Sequence, residues 1–223
     1  MTKQAIIGAI QRGLKRGPLP SDQKSMLAAR MAAHPRHIIP RRGQLDAEGR
    51  VLLFAENIER EFGSFARLPN LAAVPEAIAT YLAQQNLPPA LVAAPHPVLQ
   101  AIPFANLPLL DVRFGVSTPT DAVSLQHGFA GIAETGTLML PSGPARPVKN
   151  NLLPDCAIIL VNTANIVASY EDAFDLLRAE TGLMPRNVML ITGPSRSADI
   201  EQTLELGAHG PRKLHVLMID GEN

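Results

Sequence analysis

The run Ala157-Ile-Ile-Leu-Val161 decides the fold class of this 223-residue chain. Five consecutive apolar residues predict a strand, and a strand without polar alternation is expected where helices cover both faces of a sheet. Other strand candidates are residues 91–94, 109–114, 138–140, 188–191 and 214–219, and several of them are continuously apolar. The sequence therefore predicts an α/β fold, with an open and mainly parallel sheet covered by helices.

Helical spacing of apolar residues separates these runs and also precedes them. It predicts helices at 52–62, 75–85, 169–180 and 197–206, and Ser169 with Asp172 three residues later fits a capping box. Two short amphipathic helices are predicted nearer the N-terminus, the first around Ile6 and Ile10 and the second from Ser21 to just before Pro35. Residues 35–49 are rich in Pro, Gly and Arg without apolar periodicity, as in a linker. We therefore assign residues 1–49 to a basic helical extension with its linker and residues 50–223 to the α/β domain.

Charge is balanced over the whole chain, with 20 basic and 20 acidic residues, but it is distributed unevenly. Residues 1–50 hold ten Lys or Arg and three acidic residues, which leaves the remainder acidic. The basic segment is either an arm that docks on an acidic partner or a pair of solvated helices. Its sequence contains no aromatic residue before Phe54 on which a base could stack, so nucleic-acid binding is not expected.

The compartment follows from apolar runs and cysteine content. No stretch approaches the ~20 apolar residues that span a bilayer, and the N-terminus lacks the apolar core of a secretion signal. Cys156 is the single cysteine, so the chain alone cannot supply a thiolate cage for an iron–sulfur cluster or a structural zinc ion. We expect a cytoplasmic protein without a membrane span, in which Cys156 is a buried and inert thiol.

The first candidate ligand loop is Gly131 to Thr137, where Glu134 and two threonines lie inside an apolar frame. An ionised Glu134 is costly if buried without partners, so it should be hydrogen-bonded, solvent-reaching or protonated. It is either a catalytic or ligand-orienting acid or a carboxylate that caps backbone amides in the turn. Gly131 and Gly136 have the glycine spacing of a P-loop, but Thr137 replaces the lysine, which excludes a Walker nucleotide site.

The second candidate loop is Thr192 to Asp199, between a predicted buried strand and the start of a predicted helix. Ligands of open α/β sheets bind at such positions, and free N–H groups at a helix N-terminus hold anions. Ser195, Arg196 and Ser197 are therefore candidates for binding a carboxylate or phosphate. Asp199 in the same turn fits either plain helix capping or a ligand that carries both anionic and hydroxyl groups.

Other polar residues near the loops give weaker signals. Arg146 and Lys149 either close over an anion or are solvated, and His127 is the histidine nearest a loop. The sequence contains no Gly-x-Gly-x-x-Gly fingerprint, Gly-x-Ser-x-Gly elbow or His-Glu-x-x-His pair, so dinucleotide, standard hydrolase and zinc-protease sites are not expected.

Five short motifs in order resemble the lactate utilization protein C family, whose members carry a LUD domain. They are Gly131-Ile-Ala-Glu-Thr-Gly-Thr-Leu138, Leu153-Pro154, Ser169-Tyr-Glu-Asp172, Thr192-Gly-Pro-Ser-Arg-Ser-Ala-Asp-Ile-Glu201 and His209-Gly-Pro211. The resemblance covers residues 110–220 and implies a fold related to sugar-phosphate isomerases and coenzyme A transferases. It also implies a part in oxidising L-lactate to pyruvate beside two iron–sulfur partner proteins, with no cofactor in this chain.

The same resemblance implies the residues of the site. Glu134 is the catalytic candidate, and the residues carried over for substrate binding are Thr135, Gly136, Thr137, Gly193, Ser195 and Asp199. Arg196 joins them from its position in the second loop. Three functions are consistent with the sequence: a non-redox component of an L-lactate oxidation system that binds a small organic anion or docks its partners, an acyl-CoA or phosphosugar enzyme that uses Glu134, and a non-catalytic binding module.

Overall fold

The computed structural model describes residues 2–15, 17–182, 184–198 and 204–221. Contacts between Cα atoms divide the chain into two units, Met1–Ile39 and Pro40–Asn223. The assignment of residues 1–49 to an extension with its linker and of residues 50–223 to the α/β domain stays a prediction.

The N-terminal unit consists of the two predicted helices, α1 (Lys3–Gly13) and α2 (Ser21–Ala33). Thr2 caps α1, because its Oγ1 accepts a hydrogen bond of 3.3 Å from the N–H of Ala5. His34 adopts the left-handed conformation that ends α2. Neither helix buries a residue within the chain, so the apolar face predicted around Ile6 and Ile10 is exposed.

The second unit alternates strands and helices along the chain. Its helices are α3 (Ala47–Arg60), α4 (Val74–Gln84), α5 (Pro97–Gln100) and α6 (Tyr170–Thr181). The strands are β1 (Ser64–Leu68), β2 (Ala90–Ala93), β3 (Asp111–Phe114), β4 (Val123–His127), β5 (Ala130–Ile132), β6 (Thr137–Pro141), β7 (Cys156–Asn162), β8 (Ile166–Val167), β9 (Val188–Ile191), β10 (Arg196–Ala198), β11 (Leu204–Leu206) and β12 (Lys213–Ile219).

Six of these strands form a fully parallel sheet in the order β1-β12-β7-β4-β2-β3. The strand β7 contains the apolar run that predicted this fold, and successive side chains point to opposite faces. Ile158 packs into a core with Ile78 of α4, whereas Ile159 packs into a second core with Phe54 of α3. Helices therefore cover both faces of the sheet, and the predicted α/β fold class is confirmed.

Four further strands form a second sheet, in the order β8-β5-β6-β9. The strands β5 and β6 form a hairpin, and β9 pairs antiparallel with β6. Phe129, Ile132 and Met139 pack against Leu177 of α6 in a third core. The prediction that residues 188–191 form a buried strand is wrong in one respect: β9 is a half-buried edge strand, and Leu190 is exposed.

The predicted helix at 197–206 is also wrong at both of its ends. Arg196–Ala198 and Leu204–Leu206 form the antiparallel pair β10 and β11, in which Arg196 faces Leu206. This ladder uses the N–H and C=O groups that helical hydrogen bonds would need. Residues 199–203, which include the predicted site residue Asp199, lie outside the described part of the chain.

Candidate functional site

The turn between β5 and β6 holds Glu134 and is pressed against α3. Asn57 of α3 donates a buried hydrogen bond of 2.7 Å from Nδ2 to the carbonyl oxygen of Ala133. Gly136 has a φ of +67°, and a Cβ atom at this position would lie 2.7 Å from Cβ of Asn57. Both the left-handed backbone and the close approach require glycine, so α3 sets the shape of the turn.

Glu134 is only 4% exposed, although it is a carboxylate in a turn. Its Oε2 atom is buried and has no hydrogen-bond donor among the described residues. The nearest cation is Arg42, whose Nη2 lies 3.9 Å from Oε2 and whose side chain is mostly exposed. A buried carboxylate oxygen without a donor is destabilising, and a bound ligand that donates a hydrogen bond would remove that cost.

Four hydroxyl groups meet around Thr137, and two of them belong to residues close to Glu134 in the chain. Oγ1 of Thr137 lies 2.7 Å from Oγ1 of Thr135, 2.9 Å from the hydroxyl of Tyr170 and 2.6 Å from Oγ1 of Thr192. The pairing of β6 with β9 brings Thr137 and Thr192 together, and the capping box at Ser169 places Tyr170 at the start of α6. We call Glu134, Thr135, Thr137, Tyr170 and Thr192 the hairpin site.

Among residues 192–198 of the second predicted loop, Thr192 is the one hydrogen-bonded to the hairpin site. Gly193 has a φ of +74°, and a Cβ atom there would lie 2.3 Å from the carbonyl oxygen of Glu61, at the end of α3. Ser195 is engaged in a local network, since its N–H donates to the carbonyl of Pro211 and its Oγ accepts from the N–H of His209. These contacts explain why glycine and serine occur there without assigning them a ligand.

Arg196 also has an internal contact, because its guanidinium carbon lies 3.4 Å from the ring centroid of Phe62. Ser195 and Arg196 line a cleft of about 310 Å³ with Thr192 and His209. The prediction that they hold an anion at a helix N-terminus loses its physical basis, because Arg196 begins a strand. Among the described residues, no hydrogen bond joins Ser195 or Arg196 to Glu134 or its neighbouring hydroxyls.

A different cluster lies where β2 and β4 end. These strands are neighbours in the parallel sheet, but the chain leaves β2 toward β3 on one side and leaves β4 toward β7 on the other. Ligands of open α/β sheets bind at such a switch point, outside the carboxyl ends of the strands. His127 ends β4 and His96 follows β2, and their rings stack with centroids 4.0 Å apart and planes 8° apart.

Arg146 completes this cluster from the segment after β6. Its Nη2 lies 3.2 Å from Nδ1 of His127, and its guanidinium lies 6.0 Å from the ring centroid of Phe129. We call His96, His127 and Arg146 the histidine site. The sequence indicated His127 and Arg146 only as weak candidates and did not indicate His96, whereas Lys149 is exposed.

The surroundings of the histidine site disfavour the protonated form of both imidazole rings. Burial lowers the pKa of His127 to about 3, and the charges of His96 and Arg146 act in the same direction. Burial and Arg146 lower the pKa of His96 to about 4. Burial also lowers the pKa of Arg146, which the negative charge of Glu180 opposes. Both imidazole rings are therefore neutral at pH 7.

The described residues contain neither a cluster of metal ligands nor an accessible thiol. Within the described ranges, no three side chains of His, Cys, Asp or Glu converge as metal ligands would. Cys156 is buried, as predicted, with Sγ 3.8 Å from the hydroxyl of Tyr81, and burial raises its pKa to about 11. No helix in the described ranges is long and apolar enough to cross a membrane.

Part of the chain is similar to known proteins. Residues 122–219, which include most of both sites, match the LUD domain. An uncharacterized protein of Neisseria meningitidis serogroup B is 45% identical over 100 residues, which is 43% of each chain. Lactate utilization protein C of Bacillus subtilis is 37% identical over 91 residues, or 40% of this chain and 38% of that protein, and its counterpart in Shouchella clausii is 36% identical over 91 residues, or 40% of each.

A solved structure supports the fold over a longer stretch. The crystal structure of a DUF162 family protein from Deinococcus radiodurans has a TM-score of 0.60 and 23% identity, and the match covers 78% of this chain and 99% of that one. The curated relatives are matched over only about two fifths of their length. On these matches residues 122–219 carry a LUD domain, and this part of the chain is similar to lactate utilization protein C.

Proposed function

We propose that the protein functions in lactate utilization, as a component that binds a small organic anion while two iron–sulfur partner proteins carry the electrons. The names of its relatives support the general role. The observation that carries the binding function is the hairpin site, where Oε2 of the buried Glu134 has no hydrogen-bond donor among the described residues. The next residue, Thr135, belongs to a cluster of four hydroxyl groups.

The chemistry of the hairpin site suits a 2-hydroxy acid. L-Lactate has one hydroxyl group that can donate a hydrogen bond and one carboxylate that only accepts. The Oε2 atom of Glu134 can accept from the hydroxyl, and the threonine and tyrosine hydroxyls can donate to the carboxylate. Arg42 supplies a positive charge 3.9 Å from Glu134, which compensates two neighbouring carboxylates only in part.

In this proposal Glu134 is the catalytic group and acts as a general base. Oxidation of L-lactate to pyruvate breaks the O–H and Cα–H bonds and removes two protons and two electrons. Glu134 takes the hydroxyl proton as the carbonyl forms, and the proton of the Cα–H bond would pass with the two electrons to the partner proteins. The electrons leave to the iron–sulfur centres of the partners, and no step assigns a cofactor to this chain. Gly136 and Gly193 shape the backbone on either side of the hydroxyl groups, and the cytoplasmic location expected from the sequence is part of the same proposal.

Calorimetry with the purified chain tests the binding function. We expect L-lactate to bind, and we expect Glu134→Gln and Thr192→Val each to weaken binding about tenfold, the effect of one lost hydrogen bond to a charged group. Thr120→Val is the matched control, since Thr120 is an exposed threonine whose hydroxyl pairs with that of Thr118. Unchanged affinity in both site variants, or binding of coenzyme A in place of L-lactate, would contradict the proposal.

Genetics tests the wider role independently of the ligand site. Deletion of the gene should abolish growth on L-lactate, and the wild-type gene should restore it. The Glu134→Gln gene should not restore growth although its product accumulates normally and still co-purifies with the iron–sulfur partners. Normal growth of the deletion strain on L-lactate would show that the role in lactate utilization is wrong.

A further inference from the structure

The histidine site contains hydrogen-bond donors and no free acceptor. Nδ1 of His127 lies 3.2 Å from Nη2 of Arg146, and a guanidinium only donates, so this nitrogen accepts. Nδ1 of His96 accepts a hydrogen bond of 3.3 Å from the N–H of Val98. A neutral imidazole that accepts at Nδ1 carries its proton at Nε2, so both rings present an N–H donor there.

These donors have no acceptor among the residues that the structure describes. Within the described part of the chain, neither Nε2 atom has a hydrogen-bond partner, and Nε of Arg146 is buried without one. Arg146 also lacks an ion pair within those residues, and Glu180 affects it only at longer range. A half-buried guanidinium without a carboxylate is unusual, because burial of an unpaired charge is destabilising.

We propose that His96, His127 and Arg146 form a second ligand site, which binds the carboxylate group of a small monoanion at the switch point between β2 and β4. A ligand that carries only hydrogen-bond acceptors satisfies all the free donors at once. The planar guanidinium matches the two oxygens of a carboxylate. The site holds one positive charge when its imidazoles are neutral, so it neutralises a monocarboxylate and leaves a dianionic phosphate with an uncompensated charge.

This site shares no residue with the hairpin site, and the proposal does not depend on the function assigned there. A bound carboxylate favours the protonated form of each imidazole, because it places a negative charge beside rings that burial keeps neutral. The histidine rings therefore report on occupancy directly. Besides its two histidines, the site faces Arg146 and, at longer range, Glu180 of α6, which act on the rings with opposite signs.

NMR of the histidine ring nitrogens provides the test, with sodium pyruvate as the probe and sodium chloride at equal ionic strength as the reference. At pH 7 we expect pyruvate to shift the Nε2 resonances of His96 and His127 and to raise their pKa values by about one unit. The response should persist in Glu134→Gln, which separates this site from the hairpin site. An unchanged spectrum of the wild-type protein on adding pyruvate would overturn the proposal.

Variants of the arginine segment sharpen the test. Arg146→Gln should abolish the response, and Arg146→Lys should weaken pyruvate binding about tenfold, because lysine keeps the charge and loses the two-pronged geometry. Lys149→Gln is the matched control, since it removes an exposed cation three residues away and should change nothing. An equal response in Arg146→Gln, or tighter binding of inorganic phosphate than of pyruvate, would refute a carboxylate site.

Discussion

The hairpin site and the histidine site differ in how their residues are brought together. Glu134, Thr135 and Thr137 are neighbours in one turn, and a single strand pairing adds Thr192. The histidine site draws on three separate segments, which meet only because β2 and β4 are adjacent in the sheet. One site therefore depends on local chain geometry and the other on the order of the strands.

The two sites also differ in which kind of group is left without a partner. The hairpin site has a buried acceptor, Oε2 of Glu134, whereas the histidine site has unpartnered donors around Arg146, as far as the described residues extend. An unpartnered acceptor is satisfied by a ligand that donates a hydrogen bond, and an unpartnered donor is satisfied by a ligand that accepts one. The pattern of unpartnered atoms thus predicts a hydroxyl-bearing ligand at one site and a plain carboxylate at the other.

The largest expected difference concerns the backbone of each site. Gly136→Ala should lower the free energy of unfolding by about 3 kcal/mol, because the new Cβ requires a left-handed backbone and meets Asn57. Gly143→Ala, in the segment that carries Arg146, should change it by less than about 0.5 kcal/mol, since no atom lies within 4 Å of its Cβ position. Urea denaturation measures the free energy of unfolding of both variants. Equal effects would show that the backbones of the two sites tolerate substitution equally.

Acidification should destabilise the protein through the histidine site. The pKa of His127 is about 3 in the folded chain and near 6.5 in the unfolded chain, so between these values the unfolded state binds more protons. Stability is therefore complete above pH 6.5 and falls as the pH decreases toward 3, by about 3 kcal/mol from this group between pH 7 and pH 4. Urea denaturation across this range should show a shallower pH dependence in His127→Gln.

His215 provides a control for that experiment. It is buried, stacks on Tyr81, and burial lowers its pKa to about 4, so His215→Gln should also flatten the pH dependence. Pyruvate should stabilise the wild-type protein and the His215 variant more at pH 5 than at pH 7, and it should not do so for Arg146→Gln. An identical effect of pyruvate on the stability of all three proteins would show that the pH dependence of pyruvate binding does not arise from the histidine site.

Glu134→Gln should stabilise the ligand-free protein by about 1 kcal/mol, because the substitution removes a buried charge without a hydrogen-bond donor. Glu56→Gln is the comparison, since Glu56 is exposed on α3 and its substitution should be nearly neutral. Thermal unfolding without ligand measures the difference. A destabilised Glu134→Gln protein would show that the carboxylate has a structural role in the turn, as the capping interpretation holds.

The smallest effects are expected for side chains at the edge of each site. Tyr170→Phe should lower the free energy of unfolding by about 1 kcal/mol, because it removes the hydroxyl beside Thr137. Arg146→Gln should change it by about 0.5 kcal/mol or less, since the loss of one contact to His127 offsets the removal of a desolvated charge. Urea denaturation at pH 7 can rank them, and a larger loss in the arginine variant would indicate a structural cation.

The sequence predicted the parts of the fold that depend on local patterns. The apolar run of β7 and the capping box of α6 are signals of a few residues, and both elements form where they were expected. The strand β4 was missed because Ser124 and Gln126 interrupt its apolar pattern, although all its residues are buried. The hydroxyl of Ser124 is satisfied by the carbonyl of Asn150 at 2.7 Å, a contact that no local pattern reveals.

How much of each site stood out in the sequence depended on how close its residues lie in the chain. Glu134 and Thr137 stood out because they interrupt an apolar stretch at one point in the chain, and the structure does bring Thr137 to the second loop. The histidine site became visible only with the strand order, since His96 is 31 residues from His127. The predicted helix after Arg196 failed because helical spacing over ten residues also fits a short strand pair.

The place of β12 in the sheet affects how the protein can fold during synthesis. This strand is the last of the sheet in chain order, yet it lies between β1 and β7 and pairs with both. Residues 64–68 therefore cannot pair within the sheet until residues 213–219 have been synthesised. Pairings between such distant segments slow folding. We expect the nascent chain to keep β1 and one edge of β7 exposed until β12 leaves the ribosome, an interval in which chaperones would protect it.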